Sequence, residues 1–233
     1  YAETLDAMAR GAEVIAQGVV RHEESMTFGR PDLLVRVDVL SRLFQNFPSL
    51  PFAPEEKYVV IDIKYKTFEL QATGRVGGSD EKKAQLAIYN RALAAMQGWT
   101  PPHAYFLGRV VVPHGGSKDE GDCFTRLAPV DATERLELAD EAVAWVRRLR
   151  AEGENWTVEP DPTIEELMPH ATNTQDGPYH IAKKGIVARI RPLSALWFVT
   201  PNNTGPVLAK GIRRWDDPRL SADMFGLSEN RTK

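Results

Sequence analysis

The sequence is poor in cysteine and lacks long apolar runs, and both absences exclude whole classes of protein. Cys123 is the one cysteine among 233 residues, so the chain has no internal disulfide and no site built on four cysteine ligands. The longest segment without a charged residue, 192–209, contains prolines and asparagines and is unsuited to spanning a bilayer, so we expect no membrane partner. A lone cysteine is typical of a reducing compartment, and we expect an intracellular protein, cytoplasmic or nuclear.

Familiar catalytic motifs are also missing. The sequence has no nucleophile elbow, Walker loop, dinucleotide-binding fingerprint or metalloprotease helix. Its five histidines are scattered without the spacing of metal ligands. The first residue is tyrosine and no signal-peptide pattern follows, so we expect the chain to be part of a longer protein.

The periodic segments that are present predict an α/β protein. Hydrophobic residues make up 42% of the chain and charged residues 26%, the balance of a globular protein. The pattern predicts helices over 2–10, 79–98 and 131–152, strands over 13–21, 28–40, 57–66 and 104–112, a short edge strand over 123–127 and a loop over 46–56. Ser79 is predicted to cap the second helix, and Asp131 and Glu134 have the spacing of a capping box in the third.

Periodicity weakens and proline becomes frequent in the last third of the chain. We therefore predict a core domain over 1–156 and a small, mostly helical C-terminal subdomain over 157–233, packed on the core. Within that extension, 205–227 is predicted to form two short helices around Trp215.

An acid-x-Lys triplet occurs four times, and one of the four lies inside a strand that should be buried. Asp62 and Lys64 interrupt the β-branched run of 57–66 and, two residues apart, share one face of the strand. Burying both charges costs several kcal/mol unless each finds a partner or the pair has a chemical role. A purely structural Asp–Lys pair is the alternative. The other triplets are expected to be solvated: Glu55–Lys57, Asp80–Lys82 and Glu81–Lys83.

Asp32 favours a chemical role for that pair. It interrupts another apolar strand, follows Gly29 and Pro31, and lies in the strand that hairpin order places beside 57–66. Two carboxylates converging from adjacent strands, with a lysine beside them, can hold Mg²⁺ and leave positions for waters and a phosphate.

These residues resemble a known signature. Pro31-Asp32, followed thirty residues later by Asp62-x-Lys64, is similar to the motif of the PD-(D/E)XK nuclease superfamily, and Gln85-x-x-x-Tyr89 is similar to the extra motif of its RecB-like branch. That branch includes the nuclease domain of RecB, lambda exonuclease and the CRISPR adaptation nucleases. The resemblance covers about residues 1–112. It implies a restriction-endonuclease-like core, with a central mixed β-sheet flanked by helices.

The resemblance also implies an activity and a role for each residue. The protein would be a Mg²⁺- or Mn²⁺-dependent deoxyribonuclease in DNA repair, recombination or replication, with a helicase or similar domain elsewhere in a longer parent chain. Asp32, Asp62 and the backbone carbonyl of Ile63 would ligate the metal, and Lys64 would orient or activate water and stabilise charge on the phosphate. Gln85 and Tyr89 would hold the active site and the DNA backbone.

The sequence departs from the RecB-like pattern in two respects. Many relatives carry a His or Glu near the first helix as a further metal ligand, whereas only Glu13 and Gln17 stand near that place here. Some relatives carry an iron–sulfur cluster on four cysteines, which a chain with one cysteine excludes.

The net charge of −3 is unevenly distributed along the chain. From Gly177 to Trp215 there are seven basic residues and no acidic one, which leaves −10 for the rest. Trp197, Phe198 and Trp215 lie among them, a composition suited to phosphates and bases. The alternative, which does not exclude the first, is that the aromatics form a small core and the charges a solvated face. The predicted nucleic-acid contacts are Lys183, Lys184, Arg189, Arg191, Arg213 and Arg214.

Three functional hypotheses therefore stand. The leading one is a metal-dependent nuclease acting on DNA, with RNA left open as a substrate. The second is a catalytically silent nucleic-acid-binding or scaffolding module with the same fold. The third is a domain in which the Asp–Lys pair is structural and the partner is a protein.

Overall fold

A computed structural model describes residues 1–47, 50, 53–118 and 121–227 of the chain. Contacts between Cα atoms divide it into two compact units, Tyr1–Val146 and Arg147–Lys233. No helix in these residues is long and apolar enough to cross a membrane.

The first unit is built on a mixed sheet of five strands, which confirms the predicted α/β class. The strands in chain order are β1 Val14–Ala16, β2 Val20–His22, β3 Thr27–Gly29, β4 Leu33–Arg36, β5 Tyr58–Ile63, β6 Thr67–Glu69, β7 His103–Leu107, β8 Val110–Val112 and β9 Ala128–Asp131. The central sheet has the order β1-β4-β5-β7-β9, in which only β5 and β7 are parallel. Two ribbons stand apart from it, the antiparallel pair β2–β3 and the parallel pair β6–β8.

Helices flank this sheet. The first unit contains α1 Ala2–Ala9, α2 Leu40–Leu43, α3 Asp80–Gln97 and the start of α4 Leu136–Glu152, whereas α5 His180–Ile190 and α6 Pro201–Leu208 belong to the second unit. Alternation along the strands points Leu34 and Val60 to the face that packs on α3, while Val35 and Val59 face α2. The β-branched run of β5 is thus buried on both faces, as expected for a central strand.

Three strands predicted as continuous are each divided. The segment 13–21 breaks at Gln17, which has a left-handed φ of 53° between β1 and β2. The segment 104–112 breaks at Gly108, where a Cβ would lie 2.6 Å from Phe68 Cδ2 and 2.8 Å from the Lys66 carbonyl oxygen. Only glycine lets the chain pass Phe68 and Lys66 this closely. After Gly108 the chain leaves the central sheet and pairs with β6 as strand β8. The segment 28–40 likewise forms β3, β4 and a short helical turn rather than one strand.

Ser79 is the N-cap residue of α3 as predicted, but the expected side-chain capping bonds form in neither helix. Asp131 is the last residue of β9, and Glu134 binds the ammonium of Lys83, so α4 begins at Leu136. Ser79 has a left-handed φ of 61° and makes no cap hydrogen bond, because its hydroxyl accepts one from Lys66. The edge strand expected over 123–127 does not form, and β9 begins directly after it. The loop predicted over 46–56 is confirmed where described, while positions 48, 49, 51 and 52 lie outside the described residues.

The second unit has a small core of its own, formed by Leu193, Val199, Val207, Ile212 and Phe225. Of the two helices predicted within 205–227, the first begins earlier, at Pro201, and the second is a single 3₁₀ turn, Ala222–Phe225. The exposed aromatics Trp197, Phe198 and Trp215 are not part of this core, so the interpretation of them as core residues is wrong.

Candidate active site

The residues of the leading hypothesis meet at one edge of the central sheet. Since β4 and β5 are antiparallel, with Leu33 opposite Ile61, the start of β4 and the end of β5 lie at the same edge. Asp32 immediately precedes β4, and its Oδ2 accepts a hydrogen bond from the backbone N–H of Ile63, with 2.7 Å between the two atoms. The edge therefore brings together Asp32, Asp62 and Ile63, as the sequence predicts.

Asp62 is buried beside a cation. It is 4% exposed, and the Nζ atom of Lys64 lies 2.5 Å from its Oδ2, which accepts no aligned hydrogen bond. Burial raises the pKa of Asp62, the charge of Lys64 opposes that rise, and the neighbouring Asp32 adds to it. A divalent cation between the two carboxylates would stabilise the charged form of Asp62 against this burial and repulsion.

Of the two weak candidates for a further ligand, only Gln17 reaches the site. Its left-handed backbone lets the main-chain N–H bond the Asp32 carbonyl at 2.9 Å, while the side-chain Nε2 bonds Asp32 Oδ1 at 2.9 Å. Glu13 lies at the opposite end of the β1–β4 pair, where it binds Arg42 at 2.6 Å. The structure therefore does not place Glu13 with Asp32 and Asp62.

Gln85 and Tyr89 lie one turn apart on α3 and contact each other. Gln85 Nε2 donates to Tyr89 Oη at 2.7 Å. The ring of Tyr89 lies against Gly29, so closely that a Cβ on Gly29 would come within 2.1 Å of Tyr89 Cε1. The pair therefore supports the end of β3, three residues before Asp32.

Lys66 is a cation of this region that sequence reasoning missed. Its Nζ bonds Ser79 Oγ at 2.8 Å and lies 4.6 Å from the centroid of the Phe68 ring. Burial lowers the pKa of Lys66, and the nearby Lys82 lowers it further. Strand alternation offered no signal for Lys66, because β5 ends at Ile63 and the chain turns before β6.

One of the triplets expected to be solvated is instead buried. Lys83 is 2% exposed, and its ammonium donates to the carbonyl of Val76 at 2.6 Å and to Glu134 at 2.7 Å. Both partners come from outside the helix that carries Lys83, so the local sequence could not reveal them. The pair joins α3 to the segment before α4.

The donor set at the edge fits a hard divalent cation. It offers the carboxylates of Asp32 and Asp62 and the carbonyl of Ile63, all oxygen donors of the kind that Mg²⁺ and Mn²⁺ prefer. The buried Oδ2 of Asp62, which lies beside the Lys64 ammonium, is a donor of this kind. No group of three or more His, Cys, Asp and Glu side chains with metal-binding arrangement exists in the described parts of the chain. Water and a phosphate would have to complete the coordination.

Most of the predicted nucleic-acid contacts in the second unit are engaged in ion pairs. Lys183 lies 2.5 Å from Asp176, Arg189 lies 2.5 Å from Glu159, Arg213 lies 3.8 Å from Glu165, and Arg191 and Arg214 both bind Asp216. Hydrogen bonds from Arg189 and Lys183 lower the pKa values of Glu159 and Asp176 respectively. The unit Arg147–Lys233 has 13 basic and 11 acidic residues, a net charge of 13 − 11 = +2. The run of positive charge in the sequence is therefore largely neutralised in the fold.

Comparisons with protein-family models and with curated proteins found no match to this chain. The edge formed by Asp32, Asp62 and Lys64 is therefore the feature of this chain that indicates a function.

Proposed function

We propose that this protein is a metal-dependent nuclease of the PD-(D/E)XK type, with a RecB-like, restriction-endonuclease-like core, that hydrolyses phosphodiester bonds of DNA. The observation that carries the proposal is the hydrogen bond from the Ile63 N–H to Asp32 Oδ2. It ties the two carboxylate-bearing strands together at the point where Lys64 also lies.

A structural pair alone accounts poorly for this arrangement. An Asp–Lys pair that served only stability would need no second carboxylate, since Asp32 raises the pKa of Asp62 and so adds repulsion. The site also lies at the carboxyl ends of the parallel strands β5 and β7, the edge where open α/β sheets bind ligands. Clustered acids at this edge favour a role in binding or catalysis.

Each residue has a role in the proposed reaction. A bound Mg²⁺ or Mn²⁺, held by Asp32, Asp62 and the Ile63 carbonyl, would supply Lewis-acid polarisation of the phosphate. The Lys64 ammonium would orient the attacking water and neutralise charge building on the phosphate oxygens. Gln85 and Tyr89 act as positioning residues, because they hold the segment that leads into Asp32. The basic residues of the second unit would bind the DNA backbone.

The test is cleavage of linear and circular DNA in Mn²⁺, with an RNA substrate in parallel. Asp62→Asn and Lys64→Met should each reduce the rate at least about 100-fold, the usual contribution of a group that acts in proton transfer or charge stabilisation. Asp80→Asn is the matched control, since Asp80 belongs to a second Asp-x-Lys triplet outside the site and binds Arg135 at the surface. Circular dichroism establishes that the variants are folded. Equal cleavage by the wild type and both site variants would refute the proposal.

One observation favours a second candidate, a silent nucleic-acid-binding module. Lys64 already neutralises Asp62 in the absence of metal, and the described residues supply only two carboxylates. Calorimetry with Mn²⁺ separates the candidates. Binding of DNA without any binding of Mn²⁺ would favour the silent module, whereas Mn²⁺ binding that Asp62→Asn removes would favour the nuclease.

A further inference from the structure

The ribbon β2–β3 emerges from the same edge of the sheet as the candidate active site. The last residue of β1, Ala16, is opposite Leu33, so β1 ends where β4 begins. The ribbon connects these two ends and returns the chain directly to Asp32. Its path is therefore fixed relative to the candidate metal ligands.

One face of β3 is apolar and basic, and it is exposed. Met26, Phe28 and Arg30 are exposed, whereas the alternate positions Gly29 and Pro31 are buried. Phe28 is 74% exposed, an unusual position for a large aromatic ring. Phe28 is in β3, and the exposed Arg30 follows it by two residues and precedes Asp32 by two.

Two arginines flank this ring. Arg21 is directly opposite Phe28 in the antiparallel pair, and Arg30 follows it by two residues. Neither arginine forms an ion pair within the described part of the chain, in contrast to the paired arginines of the second unit. The acidic residues of the ribbon, Glu23 and Glu24, lie at its turn, away from Asp32.

The opposite face of the ribbon is firmly held. Val20 is completely buried in the core under α3, and Gly29 lies against the ring of Tyr89. At the turn, the Ser25 N–H donates to His22 Nδ1 at 3.1 Å. A rigid platform loses little entropy when a ligand binds to it.

We propose that this face of the ribbon is the binding platform for single-stranded DNA, on which a base stacks on Phe28 while Arg21 and Arg30 hold the adjacent phosphates. The inference rests on the proposed nuclease function and names its substrate form. An aromatic ring between cations is the composition that binds single strands, because every base offers a π-face and every nucleotide a phosphate. A duplex hides the faces of its bases, so stacking on Phe28 selects an unpaired strand. The acidic turn repels phosphate and directs the strand along Phe28 and Arg30 toward Asp32.

The test measures the affinity of the full chain for a labelled oligothymidylate by fluorescence anisotropy, in EDTA to prevent cleavage. Phe28→Ala should weaken binding about fivefold or more without changing the salt dependence, and Phe28→Tyr should retain most of the affinity. Arg30→Ala should make the slope of log K against log salt shallower by about 0.7, the contribution of one phosphate contact. Phe124→Ala is the matched control, since Phe124 is also an exposed aromatic residue of the first unit but packs beside Phe44, away from the ribbon.

Each outcome decides the inference. Unchanged affinity in both Phe28→Ala and Arg30→Ala, or an equal loss in Phe124→Ala, would overturn it. Equal binding of a blunt duplex with equal sensitivity to Phe28→Ala would overturn the preference for a single strand. Dimers that Phe28→Ala dissociates would assign the face to a second copy instead. Because binding is measured without metal, a wild type that binds as described but never cleaves DNA would refute the nuclease and leave the platform supported.

Discussion

The carboxylate of Asp32 takes the place of a backbone acceptor for the amide of Ile63. The backbone pairing of β4 with β5 ends at Leu33 and Ile61, and the next free N–H on β5 donates to Asp32 Oδ2 at 2.7 Å. The Asp32 side chain thus extends the hydrogen bonding between β4 and β5 beyond the last backbone pair. The same bond that completes the edge of the sheet also orients a candidate metal ligand.

Substitutions at Asp32 should separate these two roles. Asp32→Asn keeps an acceptor oxygen for the Ile63 N–H, so it should retain stability while losing affinity for Mn²⁺. Asp32→Ala should lose both, with the free energy of unfolding in EDTA reduced by about 1 kcal/mol, because water can reach this exposed bond and replace part of it. Urea unfolding and calorimetry measure the two effects. Tight Mn²⁺ binding by Asp32→Asn would contradict the assignment of Asp32 as a ligand.

Removing Lys64 should make stability more dependent on pH in metal-free protein. Burial already raises the pKa of Asp62, and loss of the cation raises it further. An acid with a higher pKa in the folded state binds more protons there, so stability falls as pH rises from the unfolded value, about 4, through the folded one. Lys64→Met should be less stable than the wild type by about 2 kcal/mol at pH 8, and the difference should shrink toward pH 4.

The control for this effect removes the titrating group. The double variant Asp62→Asn/Lys64→Met has no buried carboxylate, so its stability should lose the added pH dependence. Urea unfolding at several pH values in EDTA measures all three proteins. A difference between Lys64→Met and the wild type that is the same at pH 4 and pH 8 would refute the electrostatic explanation.

Gly29→Ala should disrupt the contact that positions β3. A Cβ there would lie 2.1 Å from the ring of Tyr89, so the ring must move and break its bond with Gln85. We expect a loss of about 1–3 kcal/mol in stability. Gly205→Ala is the matched control, because a Cβ on Gly205 meets nothing within 4 Å and should be neutral or slightly stabilising.

A double-mutant cycle identifies the cause of that loss. In a Tyr89→Ala background the Cβ has room, so Gly29→Ala should cost clearly less. An equal cost in both backgrounds would show that Tyr89 is not the neighbour that excludes a side chain at Gly29.

The sequence predicted the elements whose formation depends on residues close together in the chain. The β-branched run before Ile63 predicted β5, and the helix formers between Ser79 and Gly98 predicted α3. The break at Gly108 was not predictable, because it depends on Phe68 and Lys66, which approach from another strand. The start of α4 was misplaced for the same reason, since Glu134 bonds Lys83 from another helix instead of capping its own.

The charge of the second unit shows the same limit. Counting basic residues between Gly177 and Trp215 omits Asp176 and Asp216, which border that window, and Glu159, which precedes it by 177 − 159 = 18 residues; all three pair with its cations. The proximity of Asp32 and Asp62 was predictable because it follows from the order of the strands. Ion pairs between long side chains depend on the tertiary fold and were not predictable.

Ion pairing predicts unequal contributions to DNA binding within the basic segment. Lys184 is exposed and has no ion pair among the described residues, whereas Arg189 is bound to Glu159 at 2.5 Å. A cation that must first leave its carboxylate gains less from a phosphate. Lys184→Ala should therefore reduce DNA affinity and its salt slope more than Arg189→Ala, as measured by anisotropy across a salt series. A larger effect of Arg189→Ala would contradict this order.

The most direct test of the account is the anomalous scattering of Mn²⁺ in crystals of the wild-type protein. We expect a peak between the carboxylates of Asp32 and Asp62, within coordination distance of the Ile63 carbonyl oxygen, and loss of that peak in Asp62→Asn. Saturating Mn²⁺ with no peak at this edge, and with Lys64 still bound to Asp62, would contradict it.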